Sequence, residues 1–152
     1  MKTFFIIMAS ILIVYLSLWM LAKLAKKNKE KNVKEQTKKI LSQYGHVYEN
    51  NKQLWFDYNE KTYELIFQYI PVNKEFSINS PTTWQVYTTP STFIDQAKLV
   101  LTKHLKIVVI YPNEEKIKRY INESDIEFVR FKQVYTYYPV LFKDLETFIT
   151  EL

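Results

Sequence analysis

The chain has 152 residues, 47% hydrophobic and 24% charged, with one glycine, two histidines and no cysteine. That length holds one modest domain. Gly45 alone cannot write a dinucleotide fingerprint, a P-loop or a nucleophile elbow, each of which needs at least two glycines at fixed spacing. Without cysteine there is no thiolate zinc site, iron–sulfur ligation, disulfide or cysteine nucleophile, and His46 and His104 are too few for a histidine-rich centre. No catalytic, cofactor-binding or metal-binding residues are expected.

The net charge of +5 is unevenly spread: residues 1–43 carry nine lysines against Glu30 and Glu35, or +7, and residues 44–152 carry twelve Lys/Arg against fourteen Asp/Glu, or −2. The basicity belongs to one short stretch. A nucleic-acid partner is therefore not what the charge distribution predicts.

Residues 4–22 (FFIIMASILIVYLSLWMLA) are nineteen positions without a charge. As a helix they extend about 28 Å, close to the ~30 Å hydrocarbon core of a bilayer. Ser10 and Ser17 can return their hydroxyls to the preceding turn, and Trp19 falls where an indole favours the interface. Signal cleavage wants small residues at the −3 and −1 positions, but a cut after Ala22 puts Met20 at −3 and one after Ala25 puts Lys23 there. An uncleaved signal anchor over residues 1–22 is expected. Eight lysines lie between Lys23 and Lys39, with Lys2 alone on the other flank. This positive-inside bias predicts a single-pass protein of the cell membrane, its amino terminus outside and its carboxy-terminal domain cytoplasmic. Lys23, Lys26, Lys27, Lys29 and Lys31 are expected at the membrane surface, against anionic lipid headgroups. Residues 23–43 read as a lysine-rich juxtamembrane helix or linker that docks through Ile40 and Leu41, with Gly45 closing it.

Residues 44–152 read as an α/β domain: a small mixed sheet, a leading hairpin followed by βαβαβ, flanked by helices. Residues 54–58, a turn at Asn59, Glu60 and Lys61, and residues 62–70 make the hairpin. Residues 83–88 read as a third strand. Thr92 and Asp95 have capping-box spacing, and Phe93, Gln96, Ala97, Val100, Leu101 and His104 then fall at helical intervals. Residues 107–111 (IVVIY) are apolar throughout, the pattern of a strand buried on both faces. Residues 114–122 read as a helix with Ile117, Tyr120 and Ile121 inward, and residues 126–131 as a strand. Pro139 precedes a final helix that buries Val140, Leu141, Leu145, Phe148, Ile149 and Leu152.

A helix, three strands with a hairpin between the first two, a helix and a buried strand form an order that resembles restriction-endonuclease-like domains over residues 33–131. The stretch KIVVIYPNEEKIKRYINESDIEFV is similar to the back half of such a core. The resemblance implies a Mg²⁺ site built from an acid near the second strand and an acid-x-lysine on the third. Here the third strand reads Thr83, Trp84, Gln85, Val86, Tyr87, Thr88, without either residue. Asp57 and Glu64 flank the hairpin without those partners, which implies a degenerate or divergent member.

The remaining candidates have plain readings. Glu64 with Asp57 or Glu75 can be a metal pair or solvated carboxylates. His46 reads as a loop residue, His104 as a helix-end residue, and Glu114 and Glu115 as dipole-favoured acids. Residues 73–82 read as a polar loop able to bind or merely connect. Tyr135, Tyr137 and Tyr138 are an aromatic cluster suited on a surface to a protein interface or to base stacking, or else a loop folded over the sheet with its hydroxyls in water. The expected function is a non-enzymatic protein-interaction domain held at the cytoplasmic membrane face, with an unidentified protein partner. The alternatives are the endonuclease-like domain and a structural subunit of a membrane complex.

Overall fold

The computed structural model describes residues 2–122 and 125–152, the side chains of residues 2–7, 9 and 10 excepted. The elements run α1 (Lys2–Leu41), β1 (His46–Asn50), β2 (Gln53–Tyr58), β3 (Lys61–Ile70), β4 (Phe76–Ile78), β5 (Thr83–Val86) and β6 (Thr92–Asp95). They continue as β7 (Leu105–Pro112), β8 (Ile117–Tyr120), β9 (Ile126–Val129), β10 (Tyr137–Leu141) and α2 (Leu145–Glu151). Single 3₁₀ turns, Ala97–Leu99 and Phe142–Asp144, precede β7 and α2. The chain divides into two compact units, Met1–Lys34 and Glu35–Leu152.

In the first unit the described apolar side chains from Met8 to Leu24 are exposed. Ile11, Leu12, Ile13, Val14, Tyr15 and Leu16 are consecutive and all exposed, as are Leu18 to Leu21 and Leu24. Six consecutive positions exceed one 3.6-residue turn, so this helix is apolar on every side. Ser17 donates to the Ile13 carbonyl, the return bond its position predicts. Among the described residues, no helix is long and apolar enough to cross a membrane. The anchor expected over residues 4–22 falls partly on side chains outside the described residues.

The second unit is mixed α/β, built on two five-stranded mixed sheets where the sequence predicts one. The first has order β1-β2-β3-β7-β10, and the second β6-β5-β4-β8-β9. β7 pairs parallel with both β3 and β10. Its residues 107–111 are fully buried, as an apolar, largely β-branched run demands, and Lys106 is buried beside them. A parallel pair needs a long crossover, and helices were expected in both. Instead the crossover from β3 to β7 carries β4, β5 and β6, and that from β7 to β10 carries β8 and β9. The parallel pairing of β4 with β8 joins these pieces into the second sheet.

Four sequence expectations differ from the structure. The helix expected after Thr92 is β6 and one 3₁₀ turn, because Asp95 accepts from the Ala97 amide and Thr92 to Asp95 pair with β5. Residues 114–122 hold strand β8, since the Asn113 side chain accepts from the Glu115 amide and turns the chain into it. Residues 73–82 are no loop: Phe76, Ser77 and Ile78 are a buried strand. The final helix expected directly after Pro139 starts later: Pro139, Val140 and Leu141 are β10, which pairs with β7, and α2 buries Leu145, Phe148 and Ile149.

Alternation along β3, β7 and β10 separates two cores. Ile66, Ile70, Val108, Ile110, Tyr137 and Leu141 join Phe76, Ile78, Trp84, Val86, Ile117 and Val129 of the second sheet. Within it, Trp84 stacks on Phe76 at 5.9 Å and donates its indole N–H to the Tyr137 hydroxyl at 3.1 Å. The opposite residues, Tyr63, Leu65, Ile107, Val109 and Val140, are buried on the other face. There Tyr138 packs between Tyr63 and Phe148 of α2, with ring centroids 6.2 and 5.5 Å away.

Scarcity of glycine shapes the turns. The two-residue hairpin loops Asn51-Lys52 and Asn59-Glu60 hold all four residues at positive φ, the type I′ geometry that fits strand twist. Asparagine tolerates this conformation, whereas lysine and glutamate strain in it. Gly45 has no positive φ and lies beyond the helix end at Leu41, so it is not the expected cap. It is required for clearance: a Cβ there would collide with the Asp57 carbonyl and the Phe56 ring. Two opposite outcomes follow for the full-length protein in detergent, read by urea denaturation. Glu60→Gly raises stability by about 0.5–1 kcal/mol by relieving the left-handed residue. Gly45→Ala lowers it by about 1–3 kcal/mol through forced displacement of backbone.

Candidate functional site

The three tyrosines expected to share a surface are divided between the turn before β10 and the two faces of that strand. Tyr135 is exposed, with the Arg119 guanidinium 4.8 Å from its ring. Tyr137 is fully buried between the sheets, where it accepts from Trp84. Tyr138 turns to the helical face and donates to Gln133. Tyr137 is therefore a core residue and not part of an exposed cluster, since it and Tyr138 point to opposite faces of the strand. Lys23, Lys26, Lys27, Lys29 and Lys31 are all exposed on α1, with the Lys23 ammonium 5.0 Å from the Trp19 ring.

Residues of the endonuclease-like pattern sit as follows. Asp57 on β2 accepts from Thr62 and faces His46 at 3.8 Å. Glu64 on β3 accepts from Thr102, while Thr83–Val86 belongs to the other sheet. Glu75 pairs with Lys118 at 2.7 Å. Among the described residues, no group of three His, Asp or Glu side chains is placed to hold a metal ion. His104 is exposed and meets the edge of Trp55 at 5.2 Å.

A concave site forms where the two sheets end on the same side. β9 and β10 are edge strands of different sheets, and a cleft of about 190 Å³ lies along both. Phe128, Val129, Pro139, Val140 and Leu141 line it with Ile117 and Phe131, and Lys116, Arg130 and Asp144 supply its charge. Each cation lies against an aromatic ring: Lys116 is 5.2 Å from Phe128 and Arg130 is 4.9 Å from Phe131. Phe131 holds a left-handed backbone at φ 53° and packs its ring on Phe148 at 5.8 Å, which fixes the chain as it leaves β9. Next to the cleft, Glu127 is held below the usual carboxylate range, first by its hydrogen bond from Lys132 and then by Arg119.

Around this edge Phe128 is 58% exposed, Ile121 61% and Ile126 49%. These neighbouring apolar groups are left in water together on one edge, as a contiguous patch rather than as scattered surface residues. Sequence reasoning placed residues 126–131 in a strand but did not single them out. The available signal was that IEFVRF carries apolar residues on both alternating faces. Residues 114–122, read as a helix, concealed Lys116. The arrangement offers apolar contact, cation–aromatic surfaces and backbone hydrogen bonds, without an acid–base or nucleophile pair. No protein-family model, curated protein or solved structure matches the chain.

Two buried titratable groups set opposite pH responses. Lys106 is fully buried, its ammonium donating to the Thr102 and His104 carbonyls, and burial lowers its pKa. Its folded form binds protons less readily than the unfolded chain, so its contribution to stability improves as pH rises toward its unfolded value. Burial pushes Tyr137 up to about 12 from 10.0. The unfolded chain ionises this phenol first, so the stability it secures is complete below about pH 10 and lost as pH climbs to about 12. In urea titrations, raising the pH through that window should cost about 2 kcal/mol attributable to Tyr137. Tyr137→Phe should remove that dependence while costing about 1–3 kcal/mol near neutrality, since the Trp84 N–H loses its acceptor.

Proposed function

We propose that the chain is a single-pass membrane protein whose apolar helix anchors a non-enzymatic α/β domain at the cytoplasmic face, where the domain binds another protein. The observation that carries the anchor is the run Ile11 to Leu16, exposed on all sides of a helix. A helix apolar all round is stable only when something apolar surrounds it. The uncharged stretch of nineteen residues and the eight lysines that follow it supply length and orientation. The cleft at the β9 and β10 edges, with Ile121, Ile126 and Phe128 exposed beside it, supplies the binding surface. Lys23, Lys26, Lys27, Lys29 and Lys31 lie against anionic headgroups, each contributing about 1 kcal/mol near the surface and less at high salt.

Fractionation and affinity purification of the tagged full-length protein from native membranes test both halves. The protein should resist alkaline carbonate extraction, be digested only after the membrane is opened, and bring down a protein partner in stoichiometric amount. Release by carbonate would remove the anchor, and digestion from outside intact cells would reverse the topology. Co-purifying nucleic acid, lost at raised salt, would replace protein binding by the endonuclease-like reading. Loss of the partner when residues 4–22 are exchanged for an unrelated anchor would make the helix itself the contact, as in a structural subunit.

A further inference from the structure

The cleft's lining shows how a partner would sit. Phe128 and Val129 are consecutive strand residues whose side chains leave opposite faces, and both line the cleft. The same holds for Pro139, Val140 and Leu141. Space lying off the edges of the two strands can touch consecutive residues of each. The cleft is therefore a slot beside two sheet edges, the place where a further strand would lie.

The two edges differ in what they offer. Tyr137 exchanges both backbone bonds with Val134 on the side away from β7. Alternation puts Pro139 on that same open side, and proline has no N–H to give. The β10 edge is thus occupied at Tyr137 and lacks a donor at Pro139. On β9 the Ile121 amide donates to the Asp125 carbonyl, which makes that pair a hydrogen-bonded one. Register then makes Arg119–Glu127 and Ile117–Val129 the other hydrogen-bonded pairs. The amides and carbonyls of Ile126 and Phe128 consequently face away from β8, along an edge with no proline. Charge fixes the kind of strand. Lys116 and Arg130 flank the slot, and among the described residues neither pairs with a carboxylate, while Asp144 is the one acid in the lining.

We propose that β9 is a strand-addition site: an extended partner segment with alternating apolar and acidic side chains pairs with the outward backbone of Ile126 and Phe128, extending the five-stranded sheet. Its apolar side chains enter the cleft against Val129, Leu141 and Phe131, and its carboxylates meet Lys116 and Arg130. Main-chain bonds supply affinity in such recognition, and the side-chain pockets and charges supply selectivity. This deepens the protein-binding reading and rests on it.

The probes are short synthetic peptides: one alternating valine and glutamate, its lysine counterpart, and a copy of the glutamate peptide N-methylated at alternate amides. Binding to the full-length protein in detergent micelles is read by fluorescence anisotropy. The glutamate peptide should bind, and the methylated copy and the lysine peptide should each bind at least about fivefold more weakly, the worth of one net hydrogen bond. Phe128→Ala controls for the ring, and Phe128→Pro should weaken the glutamate peptide about fivefold further by deleting one outward N–H. Arg130→Glu should invert the preference toward the lysine peptide. Equal binding of the methylated copy, or equal affinities of the proline and alanine variants, would overturn the proposal. Self-association abolished by Phe128→Pro, with no peptide bound, would assign the edge to a second copy of this chain and also overturn it. A native partner that stays on Phe128→Pro would sink strand addition alone. No partner on the unaltered protein would sink the protein-binding reading and this proposal together.

Discussion

Everything in the second unit follows from burying β7 on both faces. Residues 106–111 have no solvent side, so the sheet needs a cover above and below it, and parallel pairing on both flanks requires two long crossovers. In many α/β proteins helices supply both covers. Here one cover is α2, whose Phe148 packs on Tyr138. The other is a second sheet, assembled from pieces of both crossovers and joined by the parallel β4–β8 pair. Neither crossover alone could form it, so each stabilises the other's strands.

That division of labour explains where polar groups sit. Between the sheets the large aromatics leave few polar atoms, and the Trp84–Tyr137 bond satisfies two of them. Lys106, near the start of β7, is buried and donates to the carbonyls of Thr102 and His104. Burial lowers its pKa against the opposing charge of Glu64, its register partner on β3, which makes the position sensitive to pH. Two sheets also create four edges. The β10 edge is occupied at Tyr137 by the Val134 bridge and lacks a donor at Pro139, a familiar protection against unwanted pairing. The β9 edge lacks that protection, and the apolar groups around it are exposed. An unprotected edge beside an apolar cleft is a liability unless something occupies it, which is the physical reason the proposed binding surface is placed there.

Legibility in the sequence varied with the range of the interactions involved. The first hairpin was readable because its turn residues and alternation are local, although β1 was not, its residues alternating without a clear apolar face. The buried strand at residues 107–111 was readable from its apolar run, and the inward residues of α2 from their spacing. Phe93, Ala97, Val100, Leu101 and His104 fit helical intervals equally well, yet Thr92 to Asp95 became a strand because β5 stood ready to pair with it. Residues 117–120 alternate inward Ile117 with outward Lys118, a pattern too short to outweigh the helical one until β4 fixes its partner. The tyrosine cluster was visible as composition, but only register decides which ring is buried.

The sequence by itself determined the long uncharged run with its lysine flank, the exclusion of glycine-rich and cysteine-based chemistry, and the strand around which the rest is built. These are properties of composition and of contiguous residues, and they need no partner to be expressed. Tertiary structure alone decided that the crossovers are strands, that Tyr137 is a core residue, and that Lys116, Phe128 and Arg130 meet at one cleft. Those outcomes depend on pairing between segments far apart in the chain, and short strands have no conformational preference strong enough to announce it in advance.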